Sequence, residues 1–408
     1  MKLKKILTAF VSMAVMSSLA ACSSSKGSVN DDSGGKKNIT LTVWHQYLPD
    51  TEKLLINSFK DFTKQTGIKL KFEKQENIDN KIEIGSQSGK LPDIIIRSND
   101  MVGKLTVMGA IKPLNGLISK SDLKNTMKTA IDGFTYRGKL YGVPGHLETV
   151  TLIYNKDLIP EPPKTMDELL QKAKQLSKDN KFGFLIPPKD PYFNSCFFNG
   201  SNKDKYLTTD GKASLNTPEN IETLKYLKQL SKYYPKDLDN QMVSQLFDDK
   251  KVAMMISGPW DIAKLKQLKI NYGLALIPIS SNTNEPAAPF VSVQGMMMTS
   301  SCKDEQAAAK VLKYYLGENV AMAYFKSGGY MPSNSSVYNK AEVKADKDIL
   351  AFKAQAEVGI AQPNIPEMGV MWQPATDLLQ GTIVLRQDPQ KTAEKFQKRA
   401  EDAISNMK

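Results

Sequence analysis

Histidine and cysteine are scarce in this sequence, which has two histidines and three cysteines in 408 residues. His45 and His146 are too few for a histidine-rich metal site, and the chain contains no HExxH zinc motif, phosphate loop or nucleophile elbow. The sequence therefore predicts neither a metal nor a cofactor. Cys196 and Cys302 lie far apart, and nothing in their spacing argues for a disulfide, so we expect two free, mostly buried thiols.

Long apolar runs are also missing, except for one near the N-terminus. Three lysines among the first five residues precede an apolar run at 6–19, which is too short for a comfortable membrane span and ends in small residues. This pattern predicts a signal peptide at residues 1–21. The cysteine that follows, Cys22, resembles the modified cysteine of a bacterial lipobox, whose thiol receives a diacylglycerol. We therefore expect a lipid anchor at Cys22 on the extracellular or periplasmic face of the cell membrane; an ordinary signal peptide with a chance cysteine is the alternative.

Residues 22–37 are mostly Ser, Gly, Asn, Asp and Lys, and this composition predicts a flexible tether. Residues 38–408 are long enough for two domains of ordinary size. The formal net charge is +12, but lysines such as Lys112, Lys120 and Lys124 are spread along polar helix faces, without the arginine clusters or interleaved aromatics of nucleic-acid binders. No nucleic-acid partner is expected, and the charge indicates either attraction to an anionic surface or a plain solvated one.

Alternating strand and helix patterns predict an α/β fold. Residues 52–65 carry Leu55, Phe59 and Phe62 at helical spacing, and residues 91–96 form a continuous apolar strand of the kind buried on both faces of a parallel sheet. Further strands are predicted at 39–44, 68–72, 150–154, 183–186, 252–256, 272–277 and 291–299, and further helices at 102–108, 167–177, 218–233 and 391–407.

Several short stretches occur together in an order and at a spacing typical of one protein family. They are Thr66-Gly67-Ile68, Pro92-Asp93-Ile94-Ile95, Gly138-Lys139-Leu140-Tyr141-Gly142-Val143-Pro144, Leu152-Ile153-Tyr154-Asn155-Lys156-Asp157-Leu158, Pro162-Pro163-Lys164-Thr165, Asp190-Pro191-Tyr192-Phe193, Ser257-Gly258-Pro259-Trp260, and Gln362-Pro363-Asn364-Ile365-Pro366 leading to Trp372. Through them, nearly the whole mature chain resembles the extracellular solute-binding proteins of ABC importers, most closely their maltose and maltodextrin-binding branch.

The resemblance implies a two-lobed α/β fold with crossing hinge strands and a ligand cleft between the lobes. The N-terminal lobe would comprise residues 38–146 plus 294–338, and the C-terminal lobe residues 147–293 plus 339–408. A monomeric protein of this kind captures an oligosaccharide by hinge closure and delivers it to the transmembrane permease subunits of its importer. A maltodextrin is the best single guess for the sugar, and another oligosaccharide, β-linked or cyclic, is the alternative.

Aromatic side chains are the first candidates for the cleft, because a sugar ring presents an apolar face of C–H groups. Trp260 follows Gly258-Pro259 at the end of a strand, Trp372 follows the proline-containing loop 363–366, and Tyr192 lies in a shared stretch. We expect all three to stack on the ligand, although an isolated tryptophan is often a core anchor. Trp44, at the end of the first strand, is a weaker candidate because such a residue often packs beneath a site.

Acidic and amide side chains are the candidates for the hydroxyl rim of the sugar. The resemblance matches Asp100, Glu148, Asp190 and Asp79 to ligand-contacting positions of the family. His45 and Gln46, next to the first strand, are weaker candidates. A lone acidic residue is usually a solvated surface residue, so the prediction for these side chains rests on their positions.

The sequence also departs from the maltose binder at cleft positions. Arg97 and Met101 stand where that relative has a tryptophan and an arginine on either side of the Asp100 position, and Gln373 and Thr376 replace an aromatic residue and an arginine near Trp372. We include Arg97 and Gln373 among the candidate ligand-binding residues. The resemblance thus implies a related cleft with a different lining.

Two other functional classes fit parts of the pattern. A glycoside hydrolase also needs two carboxyl groups beside aromatic platforms, and Glu148, Asp190 and Asp100 would meet that description. An adhesin or a sensor that presents a ligand to a membrane receptor would share the fold and the lipobox. The shared stretches favour a binding protein that is not an enzyme.

Overall fold

The computed structural model describes residues 39–198, 205–208, 210–280, 284 and 287–407. The predicted signal peptide, the predicted tether and Cys22 lie outside these ranges. No helix within the ranges is long and apolar enough to cross a lipid bilayer.

Strands and helices are interspersed along the chain, as the α/β prediction requires, with one run of four successive strands at 135–155. The strands are β1 Thr40–His45, β2 Lys69–Lys74, β3 Ile94–Ser98, β4 Thr135–Tyr136, β5 Lys139–Leu140, β6 Gly142–Glu148, β7 Thr151–Asn155, β8 Phe182–Leu185, β9 Val252–Ser257, β10 Tyr272–Ala275, β11 Phe290–Met298, β12 Met331–Pro332 and β13 Ile360–Ala361. The α-helices are α1 Pro49–Ser58, α2 Lys60–Thr66, α3 Ile78–Ser88, α4 Met101–Val107, α5 Lys128–Gly133, α6 Met166–Leu176, α7 Pro191–Asn194, α8 Pro218–Leu230, α9 Asn240–Asp248, α10 Ile262–Gln267, α11 Glu305–Tyr315, α12 Glu318–Lys326, α13 Ala341–Lys344, α14 Lys347–Glu357, α15 Pro366–Leu379 and α16 Pro389–Ser405.

These strands form two main sheets. The larger, seven-stranded sheet has the order β12-β6-β11-β3-β1-β2, with β13 paired to β11, and the four-stranded sheet has the order β10-β7-β9-β8. The larger sheet is mixed: β1 pairs in parallel with β2 and β3, whereas β11 is antiparallel to both β3 and β6. Both sheets contain strands buried on both faces, such as β9, all of whose residues are buried.

The chain crosses between the sheets next to β6 and β11. Only Thr149 and Val150 separate β6, in the larger sheet, from β7, in the smaller one. The chain returns after β10 and enters the larger sheet as β11, which pairs with β6 through Ser292 and Glu148. This is the α/β arrangement with crossing hinge strands that the sequence predicts; the exact lobe boundaries stay a prediction.

The two faces of these crossing strands have different surroundings. Glu148 and Ser292 face a polar cavity, described below, while Leu147 and Val291 line a separate, mostly apolar cavity of about 300 Å3. Because successive side chains of a strand point to opposite faces, the register of β6 against β11 decides which residues reach each cavity.

One predicted helix is broken. The segment predicted at 52–65 forms two helices, α1 and α2, with Phe59 between them. The backbone N–H of Phe59 donates to Ile56, three residues earlier, and its buried ring packs 5.2 Å from that of Tyr314 and 5.9 Å from that of Phe62. The apolar face therefore continues across the break, and for this reason the sequence pattern did not reveal it.

The two cysteines inside the described ranges, Cys196 and Cys302, are free and buried. The prediction of two free thiols is thus confirmed. Burial raises the pKa of Cys196 to about 12 and that of Cys302 to about 11, so neither is a reactive thiolate at neutral pH.

Asn99 joins three parts of the fold where β3 ends. Its Oδ1 accepts the backbone N–H of Val293 in β11 at 2.9 Å, and its Nδ2 donates to the backbone carbonyl of Gln362 at 2.8 Å. The side chain is buried, so both backbone groups depend on it.

We expect Asn99→Ala to lower the free energy of unfolding by about 2 to 4 kcal/mol, because it leaves two buried backbone groups without a partner. Denaturant unfolding followed by circular dichroism would measure this loss. Asn57→Ala, at an exposed position of α1, is the control and should leave stability unchanged. A loss below about 1 kcal/mol for Asn99→Ala would contradict the role of this side chain.

Candidate ligand-binding site

A polar cavity of about 500 Å3 lies beside the crossing strands and is lined by strand residues of the larger sheet and by residues of the helices and turns around both sheets. The carboxyl end of β3, the end of β6, helix α7, the turn after β9 and helix α15 all contribute. Eight of the predicted ligand-binding residues line it: Asp79, Arg97, Asp100, Glu148, Asp190, Tyr192, Trp260 and Trp372.

A second cavity, of about 240 Å3, adjoins the first. Predicted residue Gln46 lines only this smaller compartment. The side chains common to both compartments are Arg97, Glu148, Trp260 and Gln294. The two adjoining compartments together are the cleft.

Asp100 and Trp372 are joined directly. Trp372 Nε1 donates to Asp100 Oδ2 at 2.7 Å, which connects α15 to the residue preceding α4. Asp100 is 4% exposed, and burial raises the pKa of its carboxyl group, against the opposing effects of the Arg97 charge and the Trp372 hydrogen bond. The cleft therefore contains a carboxylate with few donors of its own.

Trp372 follows the proline-containing loop 363–366 and lies inside helix α15, which begins at Pro366 and was not predicted from the sequence. A proline is well tolerated at the first position of a helix, because its missing N–H would have no partner there. The loop thus leads into a helix, and Trp372 lies six residues after its first residue, nearly two turns along the helix.

Glu148 is held at the end of β6 by neighbours on both crossing strands. Its Oε1 accepts from Gln294 Nε2 at 2.9 Å and from Ser292 Oγ at 3.4 Å, and its Oε2 lies 3.4 Å from His146 Nε2. The hydroxyl of Tyr192 donates to the backbone carbonyl of Glu148 at 3.2 Å. These contacts fix both side chains at the crossing. Burial raises the pKa of Tyr192 well above its ordinary value, and the charge of Glu148 adds to this effect.

Asp190 caps α7, the short helix that carries Tyr192. Asp190 Oδ1 accepts the backbone N–H groups of Tyr192 at 2.9 Å and Phe193 at 3.4 Å, and Oδ2 accepts from Asn240 Nδ2 at 3.0 Å. Burial raises the pKa of Asp190, and these hydrogen bonds oppose the shift. One oxygen of the carboxylate thus caps α7, and the other accepts a hydrogen bond from α9.

Trp260 lies in a 3₁₀ turn, Pro259–Asp261, directly after β9. Its ring centroid lies 6.4 Å from that of Tyr192 and 5.6 Å from that of Phe193. Asp261 anchors the turn, because its carboxylate accepts from Ser257 Oγ at 2.5 Å. Trp260 and Tyr192 therefore form one aromatic corner of the cleft.

Arg97 spans the two compartments. Its Nη1 donates to Gln46 Oε1 at 2.8 Å, on the side of the smaller compartment, and its Nη2 donates to Asp79 Oδ2 at 2.8 Å, in the larger one. The guanidinium is thereby paired within the cleft, and the carboxylates of Asp100 and Glu148 give the larger compartment an acidic character.

Three predicted residues do not line either compartment. Trp44 Nε1 donates to Glu73 at 2.9 Å on the neighbouring strand β2. His45 is fully buried, and its Nε2 lies 3.3 Å from Glu52. Gln373 is exposed on α15 and donates to Asp377 at 2.8 Å.

Other polar residues of the cleft were not predicted. Lys189, Asn240, Ser292 and Gln294 line the larger compartment, and Tyr47 and Tyr330 line the smaller one. The alternation of β11 could have indicated Ser292 and Gln294 once Glu148 was known to pair with that strand. No sequence signal indicated Asn240. In the described part of the chain, no group of three or more His, Cys, Asp or Glu side chains could hold a metal ion.

Comparison with known proteins identifies the family. The model of a family described as bacterial extracellular solute-binding protein matches residues 57–351. The maltodextrin-binding protein MdxE of Bacillus subtilis strain 168 is 31% identical over 383 residues, which are 88% of this chain and 88% of that protein. This chain belongs to the bacterial extracellular solute-binding protein family.

Two further similarities extend over nearly the whole solute-binding protein. A maltooligosaccharide ABC transporter solute-binding lipoprotein of Streptococcus pneumoniae strain R6 is 27% identical and covers 96% of this chain and 93% of its own length. The structure of the maltose/maltodextrin-binding domain MalE from Bdellovibrio bacteriovorus, bound to maltotriose, superposes with a TM-score of 0.84 at 26% identity, covering 90% of this chain and 100% of that one. The two-lobed α/β fold is therefore confirmed, and these relatives are named as binding proteins, not as enzymes.

The buried charge of Asp100 gives a pH-dependent prediction for this solute-binding protein. An unfolded aspartate ionises near pH 4, at about 3.9. The folded pKa is higher, so between the two pKa values the folded state binds more protons than the unfolded one, and stability falls as pH rises through this window. Asp100→Asn keeps an acceptor for Trp372 but has no charge. Its stability relative to wild type should therefore increase from pH 4 to pH 7.

Denaturant unfolding at several pH values would measure this difference. Asn57→Ala, which changes no ionisable group, is the control, and its difference from wild type should be the same at each pH. A pH-independent difference for Asp100→Asn would mean that the buried charge does not destabilise the ligand-free protein.

Proposed function

We propose that this protein captures an oligosaccharide of the maltodextrin class and delivers it to an ABC importer. The observation that carries the proposal is the gathering of Trp260, Trp372 and Tyr192 with the carboxylates of Asp100 and Glu148 around one cavity. The maltodextrin and maltooligosaccharide specificities in the names of the similar proteins support the same ligand class.

The lining suits a neutral, polyhydroxylated ligand. Aromatic planes bind the C–H face of a pyranose, and carboxylate, amide and guanidinium groups bind its hydroxyls. Trp260 belongs to both compartments, and Gln46 and Gln294 supply amides in the smaller one. A chain of linked rings would use both compartments, whereas a monosaccharide would fill only part of the cleft.

The proposed mechanism is hinge closure about the crossing strands. Arg97 lies in β3 of the larger sheet and Asp100 two residues after it, whereas Asp190 and Trp260 follow β8 and β9 of the smaller sheet. A ligand that contacts both groups stabilises the closed state, because only there are both sets of contacts made. The permease would bind the closed, loaded form. For the lobes we propose residues 38–146 plus 294–338, and 147–293 plus 339–408.

We also propose that the mature protein begins at Cys22 and is held on the outer face of the membrane by lipid on that cysteine. The signal-like segment 1–21 supports this, and one of the similar proteins is named a lipoprotein. Residues 22–37 would tether the binding domain to the anchor.

Calorimetric titration with maltose, maltotriose and maltotetraose tests the ligand. We expect binding of the α-linked series, and Trp260→Leu should weaken it by about tenfold or more, equivalent to about 1.4 kcal/mol, because the aromatic plane is lost. Trp44→Leu is the matched control: Trp44 lies outside both compartments, so this variant should keep the wild-type affinity.

The same titrations with β-linked and cyclic oligosaccharides complete the test. Binding of these sugars alone would replace the maltodextrin assignment. Shortened products after incubation with maltodextrins would indicate a glycoside hydrolase and overturn the proposal of a binding protein.

The anchor has its own test. Cys22→Ser should abolish incorporation of labelled fatty acid and release the protein from the membrane fraction, because the thiol that would carry the lipid anchor is absent. Cys302→Ser is the matched control and should remain labelled. A Cys22→Ser protein that still carries the label would contradict the proposed lipidation site.

A further inference from the structure

Helix α7 presents two of the cleft residues but is very short. It comprises only Pro191–Asn194, contains Tyr192 and is capped by Asp190. An isolated helix of this length is not stable in water, since forming its first turn is unfavourable. The position of both cleft side chains must therefore be determined by whatever holds the α7 backbone.

A buried lysine holds the segment that follows α7. Lys205 Nζ donates to the backbone carbonyl of Ser195 at 2.7 Å and to that of Phe198 at 2.8 Å. The lysine is 1% exposed, and within the described ranges it forms no ion pair with an acidic side chain. Burying a lysine without a carboxylate partner costs free energy. The two carbonyl contacts partly offset this cost and hold the backbone at Ser195 and Phe198.

The next residue holds the beginning of the helix. Tyr206 is fully buried, and its hydroxyl donates to the backbone carbonyl of Pro191 at 2.7 Å. Lys205 and Tyr206 thus bind backbone carbonyls on both sides of Tyr192. Ser195, whose carbonyl Lys205 binds, also accepts the backbone N–H of Phe290 through its Oγ at 3.1 Å. This contact links the segment to the start of β11.

The lysine can make its two hydrogen bonds in either protonation state. Burial lowers the pKa of Lys205 to about 7. The ammonium has three N–H donors, and the neutral amine retains two, which is enough for the two carbonyls. The contact is therefore maintained on both sides of neutral pH.

We propose that Lys205 and Tyr206 are positioning residues that clamp the α7 backbone and thereby fix Asp190 and Tyr192 in the cleft. The clamp touches no ligand; it acts through the two cleft residues. The inference rests on the proposed function in one respect, because ligand affinity is one of its two readouts.

Lys205→Met and Tyr206→Phe remove the donors while keeping most of the buried volume. With maltotriose as the probe, well below the melting temperature, we expect about a fivefold or greater loss of affinity for Lys205→Met and a smaller loss for Tyr206→Phe, in line with about 1 kcal/mol per lost hydrogen bond. Amide hydrogen exchange of residues 191–198 should become faster in both variants without ligand.

Phe352→Leu is the control for a general loss of stability. Phe352 is fully buried in a different part of the core, on α14, so its substitution should lower the melting temperature but leave maltotriose affinity and exchange at 191–198 as in the wild type. This comparison separates positioning from stability.

The outcomes distinguish the clamp from the proposed function. Wild-type affinity and unchanged exchange at 191–198 in both variants would overturn the clamp and leave the sugar-binding function intact. If the wild-type protein binds no sugar, the proposed function fails, and hydrogen exchange still decides about the clamp. If Lys205→Met does not fold, Tyr206→Phe carries the same test.

Discussion

The pairing of β6 with β11 is the constraint on which the binding site depends. This pairing places Glu148 opposite Ser292 and directs both side chains, with Gln294, to the cleft. A shift of one residue in the register would turn Leu147 and Val291 into the cleft instead. The same strands carry the chain between the sheets, so the site and the proposed hinge share one piece of backbone.

The carboxylates of the cleft next to this pairing lower the stability of the ligand-free protein. Asp100 is a buried carboxylate and Asp190 a partly buried one, and burial raises the pKa of each. Lone pairs of Asp100 that accept no hydrogen bond destabilise the ligand-free protein but are available to sugar hydroxyls, whereas Asp190 already accepts three hydrogen bonds. Affinity for a polyhydroxylated ligand and stability of the empty cleft therefore oppose each other at the same atoms.

Most strands of the two main sheets could be predicted from the sequence, because strands such as β9 are nearly continuous apolar runs, whereas helices such as α9, α11 and α14 were not predicted. The cleft residues were predictable where they follow a strand end or lie in a shared stretch, as for Asp100 and Trp260. Trp44 and His45 lie outside both compartments, because adjacent strand residues can both be covered by neighbouring elements, which only the tertiary structure determines. Gln373 also lies outside them, because successive helix residues point about 100° apart, so the neighbour of Trp372 faces solvent.

The contact between Trp372 and Asp100 has a consequence for the newly made chain. The two residues are 272 positions apart in the sequence. Since synthesis proceeds from the N-terminus, the carboxylate leaves the ribosome long before the indole that covers it and donates to it. During that interval Asp100 remains hydrated, and a partly made chain lacks one wall of the cleft. The cleft is complete only after the helix bearing Trp372 has packed against the rest of the fold.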